Sequence, residues 1–272
     1  MHLTAAVALF PTVYRQLQQA PLSSDPIAHP ALVFFTSVAY WFDIISSTTI
    51  GSKPFDLVHP SMQAYIHFDK ILGCANWTML AVKNIASLDH WKNMSKATET
   101  LSLRELFKRG NAIETLLTNG LEEVLSATRY QYPRNREETE QEYISLSVTR
   151  VYCCAALIYL HTVIYEPCPS LPVIQQSVAQ AIKAFKALPD PRIVDHLVWP
   201  LCIVGCMAME CDEVFLRSLA PSAEAGDEML HGASKARIIF EECWRLRRYD
   251  GEGRMVDWRI AMKNLDFDIL LK

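Results

Sequence analysis

Three cysteines near the middle of the chain come closest, by type and spacing, to a chemical site. Cys202 and Cys206 stand four residues apart, so a helix would place both thiols on one face, and Cys211 follows five residues later. Such thiols can bind zinc, but a structural zinc site needs four ligands and usually takes Cys-x2-Cys pairs from turns. The neighbouring residues are apolar, so we expect buried thiols, no metal and no cofactor.

The other candidate residues do not have the spacing of a catalytic site. Cys153 and Cys154 are adjacent, so on a helix their side chains point about 100° apart. Asp195 and His196 are also adjacent, whereas a catalytic triad is defined by spatial geometry. His161 and His196 are single histidines in apolar helical contexts, and we interpret both as core or rim side chains. The sequence has no H-E-x-x-H, G-x-S-x-G, Walker or G-x-G-x-x-G motif, and we predict that the chain is not an enzyme.

The charged residues argue against a nucleic-acid-binding surface. The formal net charge is −4, which provides no standing attraction to DNA or RNA. Two acidic residues, Glu241 and Glu242, lie about one helical turn before the local basic cluster, so we interpret that cluster as a solvated helix face with i,i+4 ion pairs. The cluster comprises Arg245, Arg247, Arg248 and Arg254.

The composition is that of a soluble globular protein with a large core. Of the 272 residues, 50% are hydrophobic and 21% charged, and the nine glycines are few for an α/β nucleotide-binding fold or an all-β sandwich. The N-terminus has no basic segment or cleavage site typical of a signal peptide, so the eight cysteines are expected to be reduced. The longest apolar runs, 31–45 and 151–165, are short of the roughly 20 residues of a membrane span. We expect a soluble intracellular protein that does not contact membranes.

The most apolar element is predicted over His196–Glu210. Its residues leave no polar stripe, so a helix here belongs in the centre of the fold. Pro200 fits best at the first helical position, with the four preceding residues leading in. Gly205 and the nearby Cys and Ala residues are small enough for another helix to approach closely.

Helical periodicity along the rest of the chain predicts an all-α fold. We expect a single irregular domain over residues 1–272 with about nine or ten helices, the pattern being weakest over 1–29. Asn76 and Asp257 are candidate N-caps, and Ser102-Leu103-Arg104-Glu105 has the pattern of a capping box. Gly110 and Gly120 should each weaken the helix that follows Ser102 by roughly 1 kcal/mol relative to alanine. Residues 126–142 are predicted to form a charged, exposed loop.

Several short blocks together resemble the fungal-specific transcription factor domain, the regulatory domain of fungal Zn2Cys6 zinc-cluster regulators. The central block, HLVWPLCIVGCMA from His196 to Ala208, and the late Asp257-Trp258-Arg259 are the most specific. The weaker blocks are Tyr40-Trp41-Phe42-Asp43-Ile44, LGCANW from Leu72 to Trp77, LDHWK from Leu88 to Lys92, and Cys243-Trp244.

This resemblance implies a nuclear regulator of a metabolic pathway or gene cluster. Its partners would be the transcription machinery or a second copy of the chain, and some members sense small apolar ligands. Family members also carry an N-terminal zinc cluster of six cysteines among basic residues, which this sequence does not contain. The likeness begins near residue 30, so the chain looks like the C-terminal part of a regulator. It would be a truncated gene prediction, an expressed fragment, or a regulator that has lost its DNA-binding part.

Small and flexible side chains facing one another in two apolar segments, 151–165 and 200–209, could leave a cavity for a hydrophobic effector. The alternative is that these residues simply pack tightly, as native cores do. The expected lining is Cys154, Leu157, Cys202, Cys206 and Met209.

Two other functions fit an all-α apolar chain. A helical enzyme acting on a lipid or isoprenoid would normally show an aspartate-rich run for magnesium, and this sequence has none. A non-catalytic interaction scaffold cannot be separated from a regulator by sequence.

Because of its net negative charge, the isolated chain is expected to show no specific affinity for duplex DNA at physiological salt. Fluorescence anisotropy with labelled promoter fragments measures this. Submicromolar, salt-resistant binding to one promoter sequence would contradict the prediction.

Overall fold

The described residues confirm the all-α prediction. The computed structural model describes residues 28–56, 66–130, 136–220, 232–250 and 255–267, and within these ranges the regular structure is entirely helical. Residues 1–27, within the part of the chain where the helical pattern is weakest, lie outside them. The helices are α1 (Ala28–Ile50), α2 (Phe68–Leu72), α3 (Asn76–Ala97), α4 (Leu103–Tyr130), α5 (Arg136–Tyr165), α6 (Pro172–Lys186), the 3₁₀ helix η1 (Pro191–His196), α7 (Val198–Met207), α8 (Glu210–Leu219), α9 (Gly232–Asp250) and α10 (Trp258–Asn264).

Helices α5 and α7 form the centre of the fold. Helix α5 packs against α3, α4, α6 and α7, and α7 packs in addition against α6 and α9. Residues 151–160 of α5 are all buried, as are all ten residues of α7. Because neither segment has a polar stripe, each must be surrounded by other helices.

The start of α7 differs from the prediction. The helix begins at Val198, so Pro200 is its third residue, and the proposed position of Pro200 at the start of the helix is wrong. Proline is tolerated there because the first four N–H groups of a helix have no intrahelical acceptor. The helix ends at Met207, where Ala208 takes an extended backbone conformation.

Glycines permit the closest helix contacts. A Cβ atom on Gly205 would lie 2.4 Å from Cδ1 of Phe240, so this glycine lets α9 approach α7. In α4, Gly110 faces Ile164 and Gly120 faces Trp77 at comparably short distances. These two glycines were expected only to weaken α4, and the structure shows that they also make room for its neighbours.

Two of the three predicted caps are present. The Ser102 hydroxyl accepts a hydrogen bond from the Glu105 N–H at 3.3 Å, and the Asp257 carboxylate accepts one from Ile260 N–H at 3.0 Å. The prediction for Asn76 is wrong, because Ala75 is the N-cap of α3. The Asn76 side chain instead accepts from Phe68 N–H at 2.7 Å and donates to the Ile66 carbonyl at 2.8 Å, which joins the starts of α2 and α3.

The charged loop predicted over residues 126–142 is much shorter in the structure. Helix α4 continues through Tyr130, and α5 begins at Arg136. Only 131–135 separate the two helices, and they lie outside the described residues. Polar residues at the ends of α4 and α5 continue the helices, because side chains such as Glu, Gln and Arg are good helix formers.

Within the described ranges, two helices are apolar and long enough to cross a membrane by length and composition alone. These stretches, Val33–Ile50 and Glu140–Tyr165, exceed the apolar runs counted in the sequence because each continues through polar residues. Within Glu140–Tyr165, 72% of the hydrophobic window is buried inside the protein, as in the core helix of a soluble protein, whereas in Val33–Ile50 the share is 39%.

The contact between α7 and α9 can be tested at Gly205. We expect Gly205→Ala to destabilise the fold by about 1–3 kcal/mol, the usual cost of overpacking, although alanine is the better helix former. The midpoint of urea unfolding measures the effect. The matched control is Gly205→Ala with Phe240→Leu, which should recover part of the loss. A single variant as stable as the wild type would contradict this packing.

Candidate functional site: a polar cleft over a buried arginine–aspartate network

Four of the five residues predicted to line an apolar pocket are buried in the hydrophobic core. Cys154 and Leu157 are buried on α5, and Cys202 and Cys206 are buried on α7, which packs against α5. The Cys202 and Cys206 Sγ atoms are 4.0 Å apart. Met209 follows the end of α7 and is 40% exposed. The cavity itself stays a prediction.

The core thiols are held in their neutral form. Burial raises the pKa of Cys154 to about 12 and the pKa of both Cys206 and Cys243 well above the ordinary thiol value. Among the described residues, no group of three or more His, Cys, Asp or Glu side chains could hold a metal ion.

His161 forms a bridge between three helices. Its Nδ1 atom lies 3.1 Å from the Ser177 hydroxyl, and its Nε2 atom lies 3.2 Å from the Glu114 carboxylate. The Ser177 hydroxyl also donates to the Val173 carbonyl, and the residue is only 5% exposed. This serine cannot reach a substrate unless the fold opens. The Ser–His–Glu chain therefore has a structural role, in which it joins α4, α5 and α6. The prediction that His161 is a core side chain is confirmed, and His196 is exposed at the end of η1.

The centre of the polar structure is Arg259, the second residue of α10. Its Nη2 atom donates to the Asp89 carboxylate at 2.6 Å and to the Tyr159 hydroxyl at 3.2 Å. Its Nε atom donates to the Thr48 carbonyl at 2.9 Å. One side chain therefore ties α10 to α1, α3 and α5.

Two tryptophans complete this network around Thr48. The Trp258 indole N–H donates to the Thr48 carbonyl at 3.1 Å, and the Trp199 indole N–H donates to the Thr48 hydroxyl at 2.9 Å. The Tyr159 ring packs edge-on against both indoles. Three sequence blocks that carried the family resemblance, LDHWK, HLVWPL and Asp257-Trp258-Arg259, thus meet in one buried cluster.

The charges in this cluster support one another. Burial raises the pKa of Tyr159, and the nearby Asp89 carboxylate raises it further, so the phenol stays protonated and donates. Burial by itself would lower the pKa of Arg259, but Tyr159, Asp89 and Asp257 together raise it. Burial is also the main reason that the pKa of Asp257 is raised.

A half-open cleft of about 350 Å³ lies against this network. At one wall, the buried Lys92 donates to the Val163 carbonyl at 2.5 Å and pairs with Glu166 at 2.7 Å. Lys96 pairs with the same Glu166 oxygen at 2.6 Å. The lining residues are Asp89, Lys92, Asn93, Thr162, Val163, Glu166, Pro167, Met255, Asp257, Trp258, Arg259 and Ile260.

The basic cluster on α9 is only partly the solvated face that was predicted. Arg245 pairs with Glu242 at 2.7 Å, and Arg248 pairs with Glu213 on α8. Arg247 instead donates to the carbonyls of Cys206 and Val256, which satisfies an acceptor near the end of α7. A sequence pattern cannot show this, because the acceptors are backbone atoms of other segments. Arg254 lies outside the described residues.

Comparison with known proteins decides the family. The model of the fungal specific transcription factor domain matches residues 1–271. The chain belongs to this family. The match also covers the first 29 residues, where the sequence blocks showed no likeness.

The relatives of this fungal transcription factor domain are regulators of biosynthesis. The chain is 38% identical, over 222 residues, to the trichothecene biosynthesis transcription regulator TRI10 of Trichoderma arundinaceum. The aligned residues cover 80% of this chain and 49% of that protein. The chain is 30% identical to TRI10 of Fusarium sporotrichioides over 247 residues, or 89% of this chain and 54% of that protein. The ustiloxin B cluster transcription factor ustR of Aspergillus flavus is 25% identical over 252 residues, which are 89% and 43% of the two chains.

The domain spans about half the length of these relatives. No solved structure matches it. The family and the names of these relatives are those of transcription factors and regulators, and none of these names is that of an enzyme.

Removal of Arg259 should reveal how much the fold depends on it. We expect Arg259→Met to destabilise the domain by about 3–5 kcal/mol, because Asp89 would remain as an unpaired buried charge. Denaturant unfolding followed by circular dichroism measures the change.

The Asp89→Asn/Arg259→Met double variant is expected to lose less than the sum of its single variants, since no charge remains unpaired. As a control, Arg109→Met removes the exposed pair with Glu105 and should have little effect. An equally small effect of Arg259→Met would rule out the buried pair as a determinant of the fold.

Proposed function

We propose that this domain is the regulatory part of a nuclear Zn2Cys6-type transcription factor that controls a biosynthetic gene cluster. The main support for this proposal is the family match over residues 1–271, together with relatives named as regulators of trichothecene biosynthesis and of the ustiloxin B cluster. In this proposal the zinc cluster that binds DNA belongs to a separate part of the regulator.

The chemistry of the domain supports regulation through binding. Burial raises the pKa of the core thiols, and Ser177 and His161 are both buried, so these groups serve packing. The net charge of −4 favours contact with a protein or a small molecule over contact with DNA. Self-association and binding to the transcription machinery both fit, and a pure interaction scaffold remains the alternative.

Sensing of an apolar effector is a second part of this proposal. The proposed effector site lies at the contact between helices α5 and α7. Its lining residues would be Cys154, Leu157, Cys202 and Cys206, with Met209 just after the end of α7. Its support is the concentration of small and polarizable side chains on two facing helices. An isoprenoid-handling enzyme is not retained, because the family consists of transcription regulators.

Deletion of the gene in the source fungus tests the regulatory proposal. We expect the transcripts of one co-localised biosynthetic cluster to fall several-fold and to recover when the wild-type gene is restored. RNA sequencing of the deleted and complemented strains measures this. A complementing gene with Arg109→Met serves as the matched control and should restore expression, whereas Arg259→Met should not. An unchanged transcriptome in the deletion strain would refute the proposed function.

A further inference from the structure

The cleft beside Arg259 is lined by charged side chains of both signs, and Lys96, which lies outside the lining, balances them by pairing with Glu166. Three carboxylates line it, those of Asp89, Glu166 and Asp257, together with only two cations, Lys92 and Arg259. One wall is also apolar, since Val163, Pro167, Met255 and Ile260 contribute to the lining. We propose that this cleft binds a small protonated amine with a short apolar tail.

The two cations are already committed to the protein. The Lys92 side chain is 5% exposed, and its ammonium group is held by the Val163 carbonyl and by Glu166. Arg259 directs Nε and Nη2 at Thr48, Asp89 and Tyr159. An incoming anion would have to displace Glu166 from Lys92, which would leave a nearly buried ion pair broken.

Acceptor capacity, in contrast, remains at the cleft. Asp89 already accepts from three side chains, because Asn93, Tyr159 and Arg259 all donate to it. Glu166 receives both of its lysines on Oε1, and Oε2 has no hydrogen-bond donor among the described residues. The Asp257 Oδ2 atom lies 3.9 Å from Arg259 Nη1, beyond hydrogen-bond distance. An ammonium group can donate to these oxygens without breaking an existing contact.

The volume limits the size of the ligand. About 350 Å³ is near the lower end of the roughly 300–1,000 Å³ that small-molecule sites occupy. A tail of a few carbon atoms can cover the apolar wall at Met255 and Ile260. A long lipid chain or a folded partner cannot enter the cleft.

Occupancy would stabilise the docking of α10, because Trp258 and Arg259 line the cleft and also anchor α10 to α1. A ligand that binds only the docked state favours it by mass action. A role as an effector site rests on the proposed regulatory function, whereas binding itself is independent of transcription.

A pair of probes that differ in charge sign tests the proposal. Ligand-observed NMR on the full chain compares n-butylammonium with butyrate at matched ionic strength. We expect saturable binding of n-butylammonium with one site per chain, and no saturable binding of butyrate.

Variants then place the site. Asp257→Asn keeps an N-cap residue but removes the charge, and we expect affinity for n-butylammonium to fall about tenfold or more. Glu166→Gln also removes a charge and frees Lys92, so the amine should bind more weakly and butyrate more tightly. Ile260→Trp fills the cleft and should abolish binding. The control is Val214→Trp at a position on α8 that is 78% exposed and away from the cleft lining.

Three results would overturn the proposal: no saturable binding of n-butylammonium, equal binding of butyrate, or binding by a folded Ile260→Trp variant that equals the wild type. If Ile260→Trp does not fold by circular dichroism, the Glu166→Gln and Asp257→Asn variants decide, and unchanged affinity in both refutes the site. If the protein binds the amine but deletion of its gene leaves transcription unchanged, the amine site is supported and the proposed regulatory function is refuted.

Discussion

The buried contact between Arg259 and Asp89 is the constraint on which the arrangement of the other helices depends. Arg259 lies 170 residues after Asp89 and 211 residues after Thr48, and it bonds to both. A buried guanidinium or carboxylate is costly unless it is paired and fully hydrogen-bonded. The helices α1, α3, α5 and α10 must therefore meet in one geometry for these charges to be compensated. The aromatic rings of Trp199 and Trp258 exclude water around them.

The apolar core supplies the stability that this polar network requires. Helices α5 and α7 bury nearly continuous apolar surface, and burial of such surface is the main favourable term in folding. Small residues set the spacing between helices, as Gly205 does against Phe240. Apolar burial by itself does not specify which helices pack together, because any apolar face can pack on another. The network at Thr48 selects one arrangement from those that the core would permit, and this is its structural role.

Two kinds of binding chemistry are proposed at separate places in the same domain. The sequence directs attention to the apolar segments of α5 and α7, whose lining side chains carry no charge. The described cleft lies instead at the C-terminal part of α5, beside α3 and α10, and combines fixed charges with an apolar rim. A ligand at this position touches the residues that fasten α10, so its binding energy acts directly on the contact between distant parts of the chain. Regulation by population shift needs such a differential contact.

The sequence by itself determined the features that arise from local or periodic patterns. The helical class, the burial of Cys202 and Cys206, and the caps at Ser102 and Asp257 follow from spacings of a few residues, and the structure confirms them. The expected burial of Cys211 is wrong, because this thiol lies on the exposed face of α8. The loop over 126–142 was overestimated, because charged residues on an exposed helix face have the same composition as a loop. The tertiary structure alone decided the partners of Arg259 and Asn76 and the position of the cleft. These depend on side chains that bond across up to 211 residues, and no periodicity in a single sequence encodes which distant acceptor a donor will meet.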